Sequence, residues 1–164
     1  MLRRKTKGLE EEKLIDNGNR YIMIIDKSLL DTLSAQAKAN PRLRQAYDLR
    51  NPSTSSGQVQ SEDNSQRMLN ALEPGTIMPI HRHRTSSESI AIIRGKMVMR
   101  FYDDKGNLTE EVVMEPNGDC PMVQVEKGQW HSLEVFEEGT VVFEAKDGRY
   151  EELSNDDVMA SSFK

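Results

Sequence analysis

From Arg67 onward the chain is a succession of short apolar runs, each closed by a turn sequence. The runs are MLNALEPG, IMPIHRH, SIAIIRG, KMVMRFYDDKGN, LTEEVVMEPNG, CPMVQVEKG, WHSLEVFEEG and TVVFEAKDG. Glycine-containing turns recurring every ~8–12 residues are the mark of an antiparallel barrel or sandwich. Asp104-Lys-Gly-Asn107 is a good hairpin turn. Met97, Met99 and Phe101 alternate with Val98, Arg100 and Tyr102, so the first three share one face of their strand. The expected fold class is mainly β, a single small barrel of about seven or eight strands preceded by an N-terminal helical segment.

The rest of the chain divides by texture. Residues 1–18 carry a basic cluster, Arg3, Arg4, Lys5 and Lys7, followed at once by Glu10, Glu11 and Glu12, and read as a charged flexible extension. Residues 19–50 hold a strand at Tyr21-IMIID and then a helix. Ser28 would cap it, and Leu29, Leu30, Leu33 and Ala37 recur on one face. Asn40-Pro41 stops that helix or restarts a second short one through Leu43–Leu49. Residues 51–65 are rich in Ser, Gly, Asn and Gln and read as a flexible loop. The barrel occupies 66–150. Residues 151–164 make a C-terminal tail or a short helix.

Composition excludes several function classes. The 164 residues carry net charge −5, with no sustained basic patch, so nucleic acid is not an expected partner. No apolar run approaches the ~20 residues of a membrane-spanning helix. The N-terminal basic residues lack a following apolar segment, and the single cysteine, Cys120, excludes an internal disulfide. A cytoplasmic location is the expectation.

The chain has three histidines. Residues i and i+2 of a strand point to the same face, so His81 and His83 aim at one volume while Arg82 points away. Glu88 follows a polar turn and can re-enter that volume from the next strand. His131 follows the turn glycine Gly128 at the start of another strand. Three imidazoles and one carboxylate form a ligand set for a divalent first-row metal, with room left for water or substrate. A histidine on a strand can equally be a surface or hydrogen-bonded core residue, and H-x-H alone is only suggestive.

The intervals are richer than H-x-H. They read G-x5-H-x-H-x4-E-x6-G over Gly75, His81, His83, Glu88 and Gly95. This pattern resembles the first motif of the cupin superfamily. The second cupin motif is matched in part: Gly128-Gln-Trp-His131 keeps its core, with Glu126 where proline is usual and Val135 where asparagine is usual. The resemblance covers roughly residues 67–150 and implies a double-stranded β-helix, or jelly roll, with His81, His83, Glu88 and His131 as metal ligands. Gln66-RMLNALEPGT, His81-Arg-His83, Gly128-QWH and VVFEAKDGRY, preceded by NPRLRQAYDLR, further resemble the WbuC-type cupins. Those are bacterial single-domain proteins associated with surface-polysaccharide (O-antigen or capsule) gene clusters.

Three neutral histidines and one glutamate leave a divalent ion with net charge near +1, which favours an anionic ligand. Iron or zinc heads the candidates; manganese, nickel and cobalt also suit imidazole and carboxylate. The expected function is a metal-binding cupin that holds or transforms a small polar or anionic molecule, with a sugar derivative of polysaccharide synthesis implied by the resemblance. An isomerase or an iron-dependent dioxygenase would fit, as would a non-catalytic binding or sensor module. Met97, Met99 and Phe101 are candidates to line the pocket or to form plain core. Arg67, Asn70, Glu144, Lys146 and Tyr150 lie in the segments shared with the WbuC type and are candidates for the pocket mouth. Fold analogy makes a homodimer the expected assembly.

Overall fold

A computed structural model describes residues 14–16, 21–50, 64–148 and 150–159. The segments 1–13 and 51–63, most of the expected extension and loop, lie outside the described residues, as do 160–164. Strands β1 (Leu14–Asp16) and β2 (Tyr21–Met23) pair antiparallel as a two-stranded unit. Helix α1 follows over Lys27–Ala39. Its cap is Asp26, whose Oδ1 accepts from Leu29 N at 3.1 Å, rather than Ser28. A carboxylate at the N-terminus of a helix both satisfies a free N–H and meets the favourable end of the dipole.

Of the two readings after Asn40-Pro41, the stop holds: no second helix follows, and Arg44–Asp48 form strand β3. Leu43 adopts φ +54°, which breaks helical continuation. The five residues after it pair fully with strand β4 (Ser65–Leu72), from Arg44 opposite Leu72 to Asp48 opposite Met68. Alternation then sorts the side chains. Tyr47 packs with the helix, while Ala46 faces the opposite side.

The remaining strands are β5 (Glu88–Arg94), β6 (Met97–Tyr102), β7 (Leu108–Met114), β8 (Met122–Val125), β9 (Trp130–Val135) and β10 (Thr140–Asp147). They form a five-stranded sheet in the order β3-β4-β10-β5-β8 and a three-stranded sheet in the order β7-β6-β9. All described pairings are antiparallel. The two sheets stack as a jelly roll without closing into one hydrogen-bonded barrel. Between them lies a core containing Leu72, Ile90, Ile92, Met97, Met99, Met114, Val125, Val135 and Val142.

The outer face of the five-stranded sheet is also apolar, because β4 alternates Leu69 and Ala71 outward. Leu30, Leu33 and Ala37 of α1 cover them together with Val141. Arg94 fastens this packing: it donates to Asp31 at 2.7 Å, to Ser34 at 2.6 Å and to the carbonyls of Leu30 and Gly139 at 3.0 and 2.8 Å. Of residues 151–164, read from sequence as a tail or a short helix, the described part to 159 contains a short 3-10 turn at Asn155–Asp157 and runs beside Ile80–Arg84. Among the described residues, no helix is long and apolar enough to cross a membrane.

Gly95, between β5 and β6, is required by the close approach of β10. Its φ is +85°, and a Cβ there would lie 2.2 Å from Thr140 Oγ1 and 2.7 Å from Thr140 Cα. Gly128 has φ +79° but nothing within 4 Å of such a Cβ. Gly95→Ala should therefore cost about 2–3 kcal/mol of unfolding free energy, and Gly128→Ala only about 1 kcal/mol. Denaturant titration of both variants checks this; equal losses would show that the Thr140 contact does not matter.

Candidate metal centre

The site is assembled by one irregular segment laid against two sheets. Residues 76–87 leave β4 and cross to β5 without forming a strand of their own. His81 is stitched to β9, and His83 O accepts from Gly128 N at 2.8 Å. The His81 N–H donates to His131 O at 3.0 Å, and His131 N–H donates to His81 O at 2.9 Å. On the other side, Met159 N donates to Ile80 O at 2.9 Å and Arg82 N to Asp157 O at 3.1 Å. Held between β9 and the C-terminal segment, the backbone is extended, and its side chains alternate as a strand's would. His81 and His83 turn inward. Arg82 turns outward, its guanidinium 4.3 Å from the centre of the Trp130 ring, whose Nε1–H donates to Asp104.

The ring centres of His81 and His131 lie 4.3 Å apart, those of His81 and His83 5.2 Å, and those of His83 and His131 5.9 Å. Glu88 opens β5 opposite Lys146 of β10 and Val125 of β8, and its carboxylate is buried. One donor atom from each of His81, His83, Glu88 and His131 lies within 4.8 Å of the others.

The protonation pattern suits a cation. His81 Nδ1 lies 3.0 Å from Pro79 O, and His131 Nδ1 lies 2.9 Å from Gln129 O. Carbonyl oxygens only accept, so both Nδ1 atoms carry a proton, and Nε2 is the nitrogen that each ring turns toward the cluster. His131 Nε2 stands 2.7 Å from Glu88 Oε1. Two acceptors at that distance need a proton or a cation between them. This donor set fits a divalent metal by its own chemistry.

Burial pushes His81 down to about 3, and the neighbouring His131 adds to the effect. Burial and then the Lys146 ammonium push His83 down to about 4. Burial alone would raise Glu88, but the hydrogen bond from His131 and the charge of Lys146 outweigh it and hold the carboxyl well below the usual range. At neutral pH the site thus offers neutral imidazoles at His81 and His83 and an ionised carboxylate, the states that metal coordination requires.

Lys146 lies against the ligands. Its Nζ is 2.9 Å from Glu88 Oε2, 3.0 Å from His83 Nε2 and 3.1 Å from Glu144 Oε1. Burial would lower Lys146, but Glu144 and Glu88 more than offset it and keep it charged. Glu144 is pushed up by burial against the pull of Lys146, and it accepts from Asn70 Nδ2 at 3.1 Å.

A cavity of about 570 Å³ opens from this cluster. Asn70, Glu144, Lys146 and Tyr150 line it, as does Met99. Met97 does not: it is fully buried in the core, and Phe101 packs against that same core. Arg67 is exposed on the outer side of β4, where strand parity puts it; its neighbours Gln66 and Met68 face the cavity instead. Arg44 and Arg42 also border the cavity, together with residues 150–153 of the C-terminal segment. The segment Leu43–Leu49 is open to helix or non-helix from sequence, which hides Arg44, while the alternation 66, 68, 70 along β4 is the signal for Gln66. Cys120 is partly buried, with Sγ 3.4 Å from Met122 O, and does not border the cavity.

Among known proteins, the model of a family described as a domain of unknown function, DUF6016, matches residues 25–114. No curated protein matches the chain. Similar solved structures include KdgF from a Halomonas species, at 13% identity and TM-score 0.51, covering 68% of this chain and 84% of that one. The cupin domain of Schizosaccharomyces pombe Cnp3 matches at 12% and 0.47, covering 64% of each. CapF of Staphylococcus aureus, a capsular polysaccharide assembling protein, matches at 23% and 0.46, with this chain covering 27% of its length. At these identities the likeness concerns the fold, which is that of a cupin.

The acid response of the metal-free protein follows from the histidines. In the unfolded chain they take up protons near pH 6.5. Folded His81 and His83 refuse them until about 3 and 4. Between those limits the unfolded state binds more protons, so stability falls as pH is lowered. Glu88, held low, acts in the same sense further down. Chelator-treated protein should therefore lose unfolding free energy from pH 7 to 4.5, and the double variant His81→Leu with His83→Leu should show a shallower slope. Identical slopes for the two proteins would contradict the buried neutral pair.

Proposed function

The chain belongs to the DUF6016 family, and we propose that it is a metal-dependent cupin whose centre binds a small anionic molecule and acts on it. The observation that carries this reading is the convergence of His81, His83, Glu88 and His131, with His81 and His131 locked by backbone carbonyls into the tautomer that offers Nε2. A divalent ion held there supplies Lewis acidity, polarising an oxygen of the bound molecule.

The chain's own residues do the rest. His81 and His131 are oriented through Nδ1 and cannot act as general bases without giving up ligation. Proton transfer falls to Lys146 and Glu144, which sit in the cavity wall beside the ligands. For His83 to serve as a ligand, Lys146 must leave its Nε2, and Glu144 is the partner that takes it. A wall carrying an ammonium beside a carboxyl supplies a proton donor and a proton acceptor next to the cluster, which supports catalysis. It supports an isomerase-type proton shuffle over oxygen chemistry. The same positive wall suits an anionic substrate.

The resemblance to WbuC-type cupins supports a sugar derivative of surface-polysaccharide synthesis as that substrate. A cytoplasmic homodimer holding iron or zinc completes the reading.

Purified protein should carry about one equivalent of metal per chain by elemental analysis. The double variant His81→Ala with His83→Ala should carry less than about a tenth of that. Full metal retention in the double variant would sink the site.

A further inference from the structure

The cavity has a second pole remote from the metal ligands. Arg44 opens β3, the edge strand of the five-stranded sheet, and is partly buried in the cavity wall. Its one side-chain contact among the described residues is Met78 Sδ, 3.9 Å from Nη1. Five other arginines among the described residues have acids. Arg50 is paired with Asp48, Arg82 and Arg84 with Asp157, Arg94 with Asp31, and Arg100 with Glu111 and Glu134. Arg42, an exposed residue, also borders the cavity, whose lining includes Glu151 and Glu152 as well. A guanidinium placed in a concave wall without an acid is a recognition group waiting for an anion.

The backbone between the two arginines is built for this. Leu43 has φ +54°, the only left-handed residue other than glycine among those described. It is held there from every side. Its N–H donates to Asn40 O at 2.8 Å, and its carbonyl accepts from Glu73 N at 3.0 Å and from Thr76 Oγ1 at 2.7 Å. A bulky residue kept in this conformation by surrounding bonds is the kind of strain that accompanies a binding site. Here it sets the chain so that Arg42 and Arg44 both border the cavity.

We infer that this end of the cavity is a phosphate subsite formed by Arg44 with Arg42, so that the substrate is a phosphorylated small molecule reaching from the metal ligands to β3. Two guanidiniums match the double charge of a phosphate better than the single charge of a carboxylate. The span is suitable. Met78, which Arg44 touches, precedes His81 by three residues, roughly 10 Å of extended chain. A phosphorylated sugar bridges that distance, with its sugar hydroxyls toward the metal ligands. This inference rests on the proposed metal centre for the other pole but not for the phosphate pole itself.

Calorimetric titration with inorganic phosphate separates the two. Chelator-treated wild-type protein should bind phosphate, and the double variant His81→Ala with His83→Ala should bind it equally. Arg44→Gln should weaken that binding about ten- to hundredfold while its metal content stays at the wild-type level. Arg44→Lys, which keeps the charge and loses the fork, should fall between the two. Phosphate binding that needs the metal, or that is unchanged in Arg44→Gln, would overturn the subsite. A wild-type protein without metal would instead overturn the metal centre and leave the subsite standing.

Discussion

The site depends on one reciprocal pair of backbone hydrogen bonds, between His81 and His131. Two ligand candidates lie on an irregular segment, one opens β5, and the fourth lies on β9 of the other sheet. Nothing in local sequence brings these together. The pair clamps residue 81 to residue 131 so that their rings meet at 4.3 Å, and the extended backbone then carries His83 to the same side. The C-terminal segment reinforces the clamp from the opposite flank, through the bonds at Ile80 and Arg82. Convergence of the imidazoles is thus a tertiary property, bought with only a few backbone bonds.

That convergence sets the electrostatics. Burial keeps His81 and His83 neutral, the state that metal ligation requires, and makes acid destabilising. Glu88 stays ionised because His131 and Lys146 face it. Lys146 brings a second positive charge to the wall, and Glu144 balances it. The cavity beyond is flanked by Arg44 and Arg42. The wall thus carries Lys146, Arg42 and Arg44 together with the carboxyls of Glu144, Glu151 and Glu152, a charged trough rather than an apolar pocket.

Much of this was legible in the sequence because the cupin pattern is local. The intervals from Gly75 to Gly95 register turns and strand parity, so His81, His83 and Glu88 could be read together, and the turn glycine before His131 marked its strand. What was not legible depended on pairing. Arg44 lies in a segment whose composition suits a helix as well as a strand; only its ladder with β4 decides. Arg67 is drawn from a segment shared with the WbuC type, and parity along β4, fixed only once the helix covers Leu69 and Ala71, turns it outward and Gln66 inward. Met97 and Met99 share a face and both lie in the core, yet only Met99 also borders the cavity. The C-terminal segment carries no periodic signal, and its role comes from bonds to residues some 75 positions earlier in the chain.

The central claim is that these four side chains hold one metal ion together. X-ray absorption at the metal edge of the purified protein tests it most directly. The account predicts three imidazole nitrogens and at least one carboxylate oxygen around the ion, with no sulfur. A coordination sphere containing sulfur, or fewer than three imidazoles, would contradict it.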